Sequence, residues 1–238
     1  MNKLILKSFM TFSIMTALFS CNSSTTNDDS KKEITADTAA VALVPENTQS
    51  MMMTVKHDVA NFEKWKTGYE EHDSVRRSFG LTKMNLLRLQ EKPNSLFLVF
   101  HMESVERAKE FSVLPALKDV MTKLGVISAP EFSYNNIVRN DIASIAAKDM
   151  VMITHRVKDF DTWLKAYDAE GITTRASQGM IDRYLCRGIE DSNFVTVGFA
   201  VTDLAKAKAA IFSASKKKIM TDAGVEGTPK IEFYQINE

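Results

Sequence analysis

Cysteine is nearly missing from this chain: of its 238 residues only Cys21 and Cys186 carry a thiol. Two cysteines provide no disulfide framework, and if Cys21 is taken by a modification then Cys186 has no partner. Cys186 falls in the apolar stretch Tyr184-Leu185-Cys186, which favours a buried inert thiol over a reactive one. Net charge is missing too, with 30 basic and 30 acidic side chains. Without a basic excess there is no field to hold nucleic acid, which is excluded as a partner. Histidine is scarce: His57, His72, His101 and His155 stand 15, 29 and 54 residues apart, spacings that match no metal motif. No phosphate loop, nucleophile elbow or dinucleotide fingerprint occurs, so the sequence calls for no metal and no cofactor.

What is present is ordinary globular material, 45% hydrophobic and 25% charged, enough for one large domain or two small ones. The one concentrated apolar run, Ser8 to Phe19, follows Lys3 and Lys7. It is too short for a membrane-spanning helix and has the layout of a signal peptide, residues 1–20. It ends at Leu18-Phe19-Ser20-Cys21, which resembles the bacterial lipobox, where the cysteine receives diacylglycerol and becomes the new N-terminus. The alternative is an ordinary secretory signal with a coincidental cysteine. The lipobox reading implies a lipid-anchored protein of the bacterial cell envelope, with the outer membrane as the expected address and Cys21 as the lipidation site. Loss of the first twenty residues leaves a net charge of −2. Residues 21–50 are Ser/Thr/Asn/Asp-rich and then Ala/Val-rich without a sustained period, as expected of a flexible tether.

Beyond the tether the sequence is written twice, at an offset of 98 and then 99 residues. Asn61-Phe62, Trp65, Tyr69, Arg77 and Gly80 match Asp159-Phe160, Trp163, Tyr167, Arg175 and Gly179. The register continues through Arg88 and Arg187, Asn94 and Asn193, Met121 and Met220, and Pro130 and Pro229. Both tryptophans of the chain fall at equivalent positions, which makes chance similarity untenable. Each copy predicts a strand (Met51 to Val59 in the first) and a helix from Asn61 to about Arg77, with Asn61 or Asp159 as N-cap. Two strands follow, about Lys83 to Leu89 and Leu96 to Met102, joined by a turn at Glu91-Lys92-Pro93-Asn94. A second helix, about Val105 to Leu124, stops at Gly125, and a last strand runs from Glu131 to Val138. This βαββαβ order defines two α+β ferredoxin-like repeats, residues 51–139 and 150–236. A four-stranded sheet with both helices on one face leaves the other face bare, and the strands alternate too weakly for that face to be solvated. The other copy, tethered at high effective concentration, is the natural cover, giving an intramolecular pseudo-dimer.

The pattern His-x-Val-x-[Asn/Asp]-Phe-x-x-Trp-x-x-x-Tyr occurs at His57 to Tyr69 and at His155 to Tyr167, and Gly-Val-x-x-x-Pro at Gly125 to Pro130 and at Gly224 to Pro229. These residues resemble the dimeric α/β-barrel superfamily, near the antibiotic-biosynthesis-monooxygenase-like families, over nearly all of residues 51–236. Single-unit members form homodimers, so the resemblance implies a homodimer fused into one chain. Members include cofactor-independent monooxygenases, haem-degrading enzymes, dismutases and proteins without known activity, so the fold does not select a reaction.

At 100° per residue, Phe62, Trp65, Tyr69, His72 and Arg76 fall on one stripe of the first helix. The corresponding stripe of the second copy is expected to read Phe160, Trp163, Tyr167, Glu170 and Thr174, with the aromatic half shared and the polar half not. Aromatic residues here serve either as the face packed on the sheet or as a pocket for a planar apolar ligand. His57 and His155 precede the Trp/Tyr helix on strands, among valines and isoleucine. Each is either a satisfied core residue or a base aimed into a cavity, where a near-neutral pKa would let it take a proton from a phenolic substrate. Arg77 and Arg175 are expected off the stripe, near the helix end, where each either binds a carboxylate or caps that end. Lys216-Lys217-Lys218 reads as a solvated helix end. Three functions remain open: a lipoprotein binding a small apolar or aromatic ligand through Trp65, Tyr69, His72, Arg76, Trp163 and Tyr167; a cofactor-independent monooxygenase-like enzyme with His57 or His155 as base; and a structural or protein-interaction lipoprotein.

Overall fold

The computed structural model describes residues 50–141 and 146–237. The signal peptide, Cys21 and all of the tether except Ser50 lie outside the described residues, as do residues 142–145 of the segment that joins the repeats.

The first repeat runs β1 (Met51–Asp58), α1 (Phe62–Glu71), α2 (Asp73–Ser78), β2 (Leu81–Leu89), β3 (Lys92–Met102), α3 (Val105–Ser112), α4 (Pro115–Lys123) and β4 (Glu131–Asn140). The second runs β5 (Asp149–Val157), α5 (Phe160–Glu170), α6 (Ile172–Ser177), β6 (Met180–Gly188), β7 (Phe194–Val201), α7 (Leu204–Ile211), α8 (Ala214–Asp222) and β8 (Val225–Asn237). Each helix predicted from the sequence is in fact two. Pro115 at the first position of α4 lacks the N–H that would continue α3. The first helix breaks at His72 in one repeat and at Gly171, with φ of 81°, in the other. The predicted caps are in place, with Asn61 accepting from the Lys64 N–H and Asp159 from the Thr162 N–H. The β2–β3 turn is tighter than its Pro-Asn signal suggested, because Leu89 already pairs with Lys92 and Pro93 lies within β3.

The strands close into one antiparallel barrel in the order β1-β3-β2-β8-β5-β7-β6-β4. Two seams join the repeats, β2 to β8 (Leu86 opposite Asn237, Leu89 opposite Tyr234) and β4 to β6 (Asn135 opposite Gly188). Closure removes the sheet edges that either repeat alone would expose. The bare face is thus covered by rolling both sheets around a shared interior of Met52, Leu87, Val99, Met150, Met152, Tyr184, Cys186 and Tyr234. The outer face of each half carries its own helices over a separate core. Alternate residues of β1 serve the two sides, Met52 the interior and Met53, Val55 and His57 the helices. Both faces being buried accounts for the weak alternation. Cys186 is fully buried in the interior, and burial pushes its thiol up to about 12.

Candidate functional site

In each half α1 or α5 lies across the outer face of the sheet and brings the shared aromatic residues against the strand histidine. The His57 ring is 5.5 Å from Trp65, and Trp65 stacks on Tyr69 at 4.7 Å and 17°. The second half repeats this, with His155 5.4 Å from Trp163 and Trp163 stacked on Tyr167 at 5.2 Å. An arginine closes each stack: the Arg76 guanidinium sits 3.8 Å over Tyr69 and that of Arg175 4.0 Å over Tyr167. Each also donates from Nη1 to its tyrosine's own carbonyl, at 2.7 and 2.9 Å.

This geometry corrects the pairing drawn from the sequence. Arg175 corresponds to Arg76, not to Arg77, and Arg175, expected off the stripe, closes the aromatic stack of its half as Arg76 does in the first. Arg77 is exposed and pairs with Asp73. The break at Gly171 adds one residue to the second repeat, moving the offset from 98 to 99 before the arginine. The arginine is therefore shared, and Thr174 is not its counterpart.

The two halves differ in the space they leave. The first encloses a cavity of about 320 Å³ lined by His57, Trp65, Tyr69, His72, Arg76 and Leu117, among others. In the second half the corresponding space is about 60 Å³. Glu170 stands there in place of His72 and Lys216 in place of Leu117, and the two form an ion pair within the pocket wall. Lys216 is therefore not a solvated helix end; it is 8% exposed, while Lys217 and Lys218 face solvent. The four-carbon stem and paired charge occupy the volume that a leucine leaves open in the first half.

The polar groups diverge as well. Tyr167 donates its hydroxyl proton to Asp182 at 2.9 Å, and Arg175 forks onto the same carboxylate from Nε at 2.8 Å and Nη2 at 2.7 Å. In the first half Lys83 occupies the position of Asp182. The Tyr69 hydroxyl and Arg76 Nε are buried without a hydrogen-bond partner among the described residues. Both ring nitrogens of His57 and of His155 are also buried and have no hydrogen-bond partner among the described residues. Burial lowers each histidine from the ordinary 6.5 to about 4, so the near-neutral pKa expected from the sequence does not hold; the rings are neutral at pH 7. Burial pushes the Tyr69 hydroxyl up to about 12, against the opposing pull of Arg76. His72 Nδ1 lies 2.7 Å from the Gly68 carbonyl, an acceptor only, so Nδ1 carries the proton. His101 lines neither histidine pocket, and no cluster of metal-ligating side chains forms among the described residues.

Sequence reasoning missed Asp182 and misread Lys216. The signal was available at the 99-residue offset, which sets Lys83 against Asp182 and Leu117 against Lys216. Each of these positions differs in charge between the two copies.

No family model matches the chain, and no curated protein matches it. Solved structures do match in fold. A protein assigned as a monooxygenase from Fusobacterium nucleatum subsp. nucleatum superposes with a TM-score of 0.54 at 12% identity, over 79% of this chain and 93% of its own. An anthrone oxidase-like protein gives 0.54 at 15% identity, over 80% and 92%. A protein assigned as a chlorite dismutase gives 0.51 at 11% identity, over 79% and 95%. The chain shares a dimeric α/β-barrel fold with these structures, with both halves of the barrel in one polypeptide. At these identities the likeness is one of fold, and the site is read from its own residues.

Proposed function

We propose that this is an envelope lipoprotein that binds a small, largely apolar aromatic ligand in the first half of the barrel, the second half serving as scaffold. The observation that carries this reading is the 320 Å³ cavity beside Trp65 and Tyr69, set against its filled counterpart. The volume lies at the small end of ligand cavities, about 300–1,000 Å³. Its wall has the expected composition, apolar with a few convergent polar atoms that the fold leaves unsatisfied. The test is to import the contents of the second half. His72→Glu with Leu117→Lys should abolish binding of a naphthalene-type probe, followed by tryptophan fluorescence, while far-UV circular dichroism stays unchanged. Retained binding would refute the assignment of this cavity. The anchor is tested separately by metabolic labelling with an alkyne fatty acid, which Cys21→Ala should eliminate.

A second reading is favoured by His57, whose ring faces the same cavity with both nitrogens free. A neutral imidazole there can accept a hydrogen bond from a phenolic ligand, but burial weakens it as a base. Proton transfer, the first step expected of a cofactor-independent monooxygenase-like enzyme, therefore requires the negative charge developing on the ligand to raise the ring's basicity. Structural neighbours assigned as monooxygenases are compatible with it. Oxygen uptake with a panel of quinols, lost in His57→Ala, would establish that chemistry. Uptake unchanged in His57→Ala would remove the histidine-base mechanism.

A further inference from the structure

We propose that the ligand of the first half carries a carboxylate, received by Arg76 Nε and the Tyr69 hydroxyl. The inference rests on the reading of that cavity as the binding site and specifies the ligand's polar group. The internal repeat supplies the argument, because the second half contains the same two donors with their acceptor in place. There Asp182, on the helix-facing side of β6, takes hydrogen bonds from Arg175 Nε, Arg175 Nη2 and the Tyr167 hydroxyl at 2.7 to 2.9 Å. The first half keeps the tyrosine, the arginine and their stack, but no carboxylate of the described residues meets Arg76 Nε and the Tyr69 hydroxyl. Lys83 replaces Asp182, just before the same β-bulge in the strand (Lys83/Asn85 and Asp182/Tyr184), and is exposed.

The charges point the same way. In the second half two buried cations, Arg175 and Lys216, are balanced by Asp182 and Glu170. In the first half Arg76, 6% exposed, has among the described residues only Asp73 as a charged partner, at 3.3 Å, and Asp73 is shared with Arg77. A buried guanidinium with an unused N–H carries an uncompensated desolvation cost, which an anionic oxygen in the cavity removes. His57, neutral and apolar-walled, offers no competing charge. The second half thus keeps as a side chain what the first half receives from its ligand: an acid group on the arginine and tyrosine, next to an aromatic wall suited to a flat apolar body.

The experiment uses a matched pair of probes on the full chain at pH 7, 2-naphthoate and its neutral counterpart 2-naphthamide, titrated by calorimetry. Wild type should bind naphthoate at least tenfold more tightly. Lys83→Asp, an exposed position, should install the internal carboxylate and abolish that preference while leaving naphthamide affinity within about twofold. Equal affinities in wild type, or an undiminished preference in Lys83→Asp, would overturn the carboxylate assignment while leaving the binding reading intact. Binding of neither probe would overturn both.

Discussion

Two histidines held neutral inside an apolar layer make the protein's stability depend on pH in a defined window. His57 and His155 are lowered to about 4 by burial, against 6.5 in the unfolded chain. Between those values the unfolded state binds more protons, so stability rises with pH; the contribution is complete above 6.5 and lost as pH falls toward 4. The carboxylates with depressed values, such as Asp58 and Asp73, start from 3.8 and act below this window. Urea unfolding at pH 7 and pH 5 should therefore differ by about 2 kcal/mol for each histidine. His155→Leu should remove roughly half of that difference, and a pH-independent midpoint between 5 and 7 would contradict it. The sequence made both histidines visible but not their titration, which depends on how completely the helices exclude water from β1 and β5.

The helical elements show how a repeat can keep its stack and change its cavity. Gly68 of α1 and Leu124, just after α4, are an interlocked pair: a methyl group on Gly68 would lie 2.1 Å from a Leu124 methyl. In the second half the same positions are Ala166 and Ala223. Gly68→Ala should push Leu124 out of place, weaken probe binding and cost about 1–3 kcal/mol by overpacking. Adding Leu124→Ala should restore most of that loss, as the small pair does in the second half. If Gly68→Ala is as stable as wild type, the interlock is not tight. The caps are simpler, with Asn61→Ala and Asp159→Ala each expected to lower stability by about 1 kcal/mol, read from the thermal midpoint. Element order, caps and glycine stops were legible from the sequence because each has a local cause. The two breaks were less so: Pro115 was a plain signal passed over, whereas the break at His72 has no proline or glycine to mark it. The one-residue shift at Gly171 then misaligned the arginines and concealed that Arg76 and Arg175 are the same residue twice.

At the scale of the whole molecule, the seams β2–β8 and β4–β6 make each repeat depend on the other. Neither half closes a barrel alone, so unfolding should be a single transition. Single-tryptophan variants, Trp65→Phe and Trp163→Phe, each leave a reporter in one half. Their urea curves should give the same midpoint as far-UV circular dichroism once the cost of each substitution is subtracted, and two separate transitions would show autonomous halves. The duplication could be read from the sequence because matching residues recur at a fixed offset. The division of labour could not, because it depends on whether Lys216 and Glu170 turn inward to meet or outward to water, and on which buried donors find an acceptor. The central claim is that one half is open for a ligand and the other holds its own side chains in that place. The stoichiometry of 2-naphthoate binding to the wild-type chain, measured by titration calorimetry, tests it most directly: one site per chain is predicted, and two equivalent sites, or none, would contradict it.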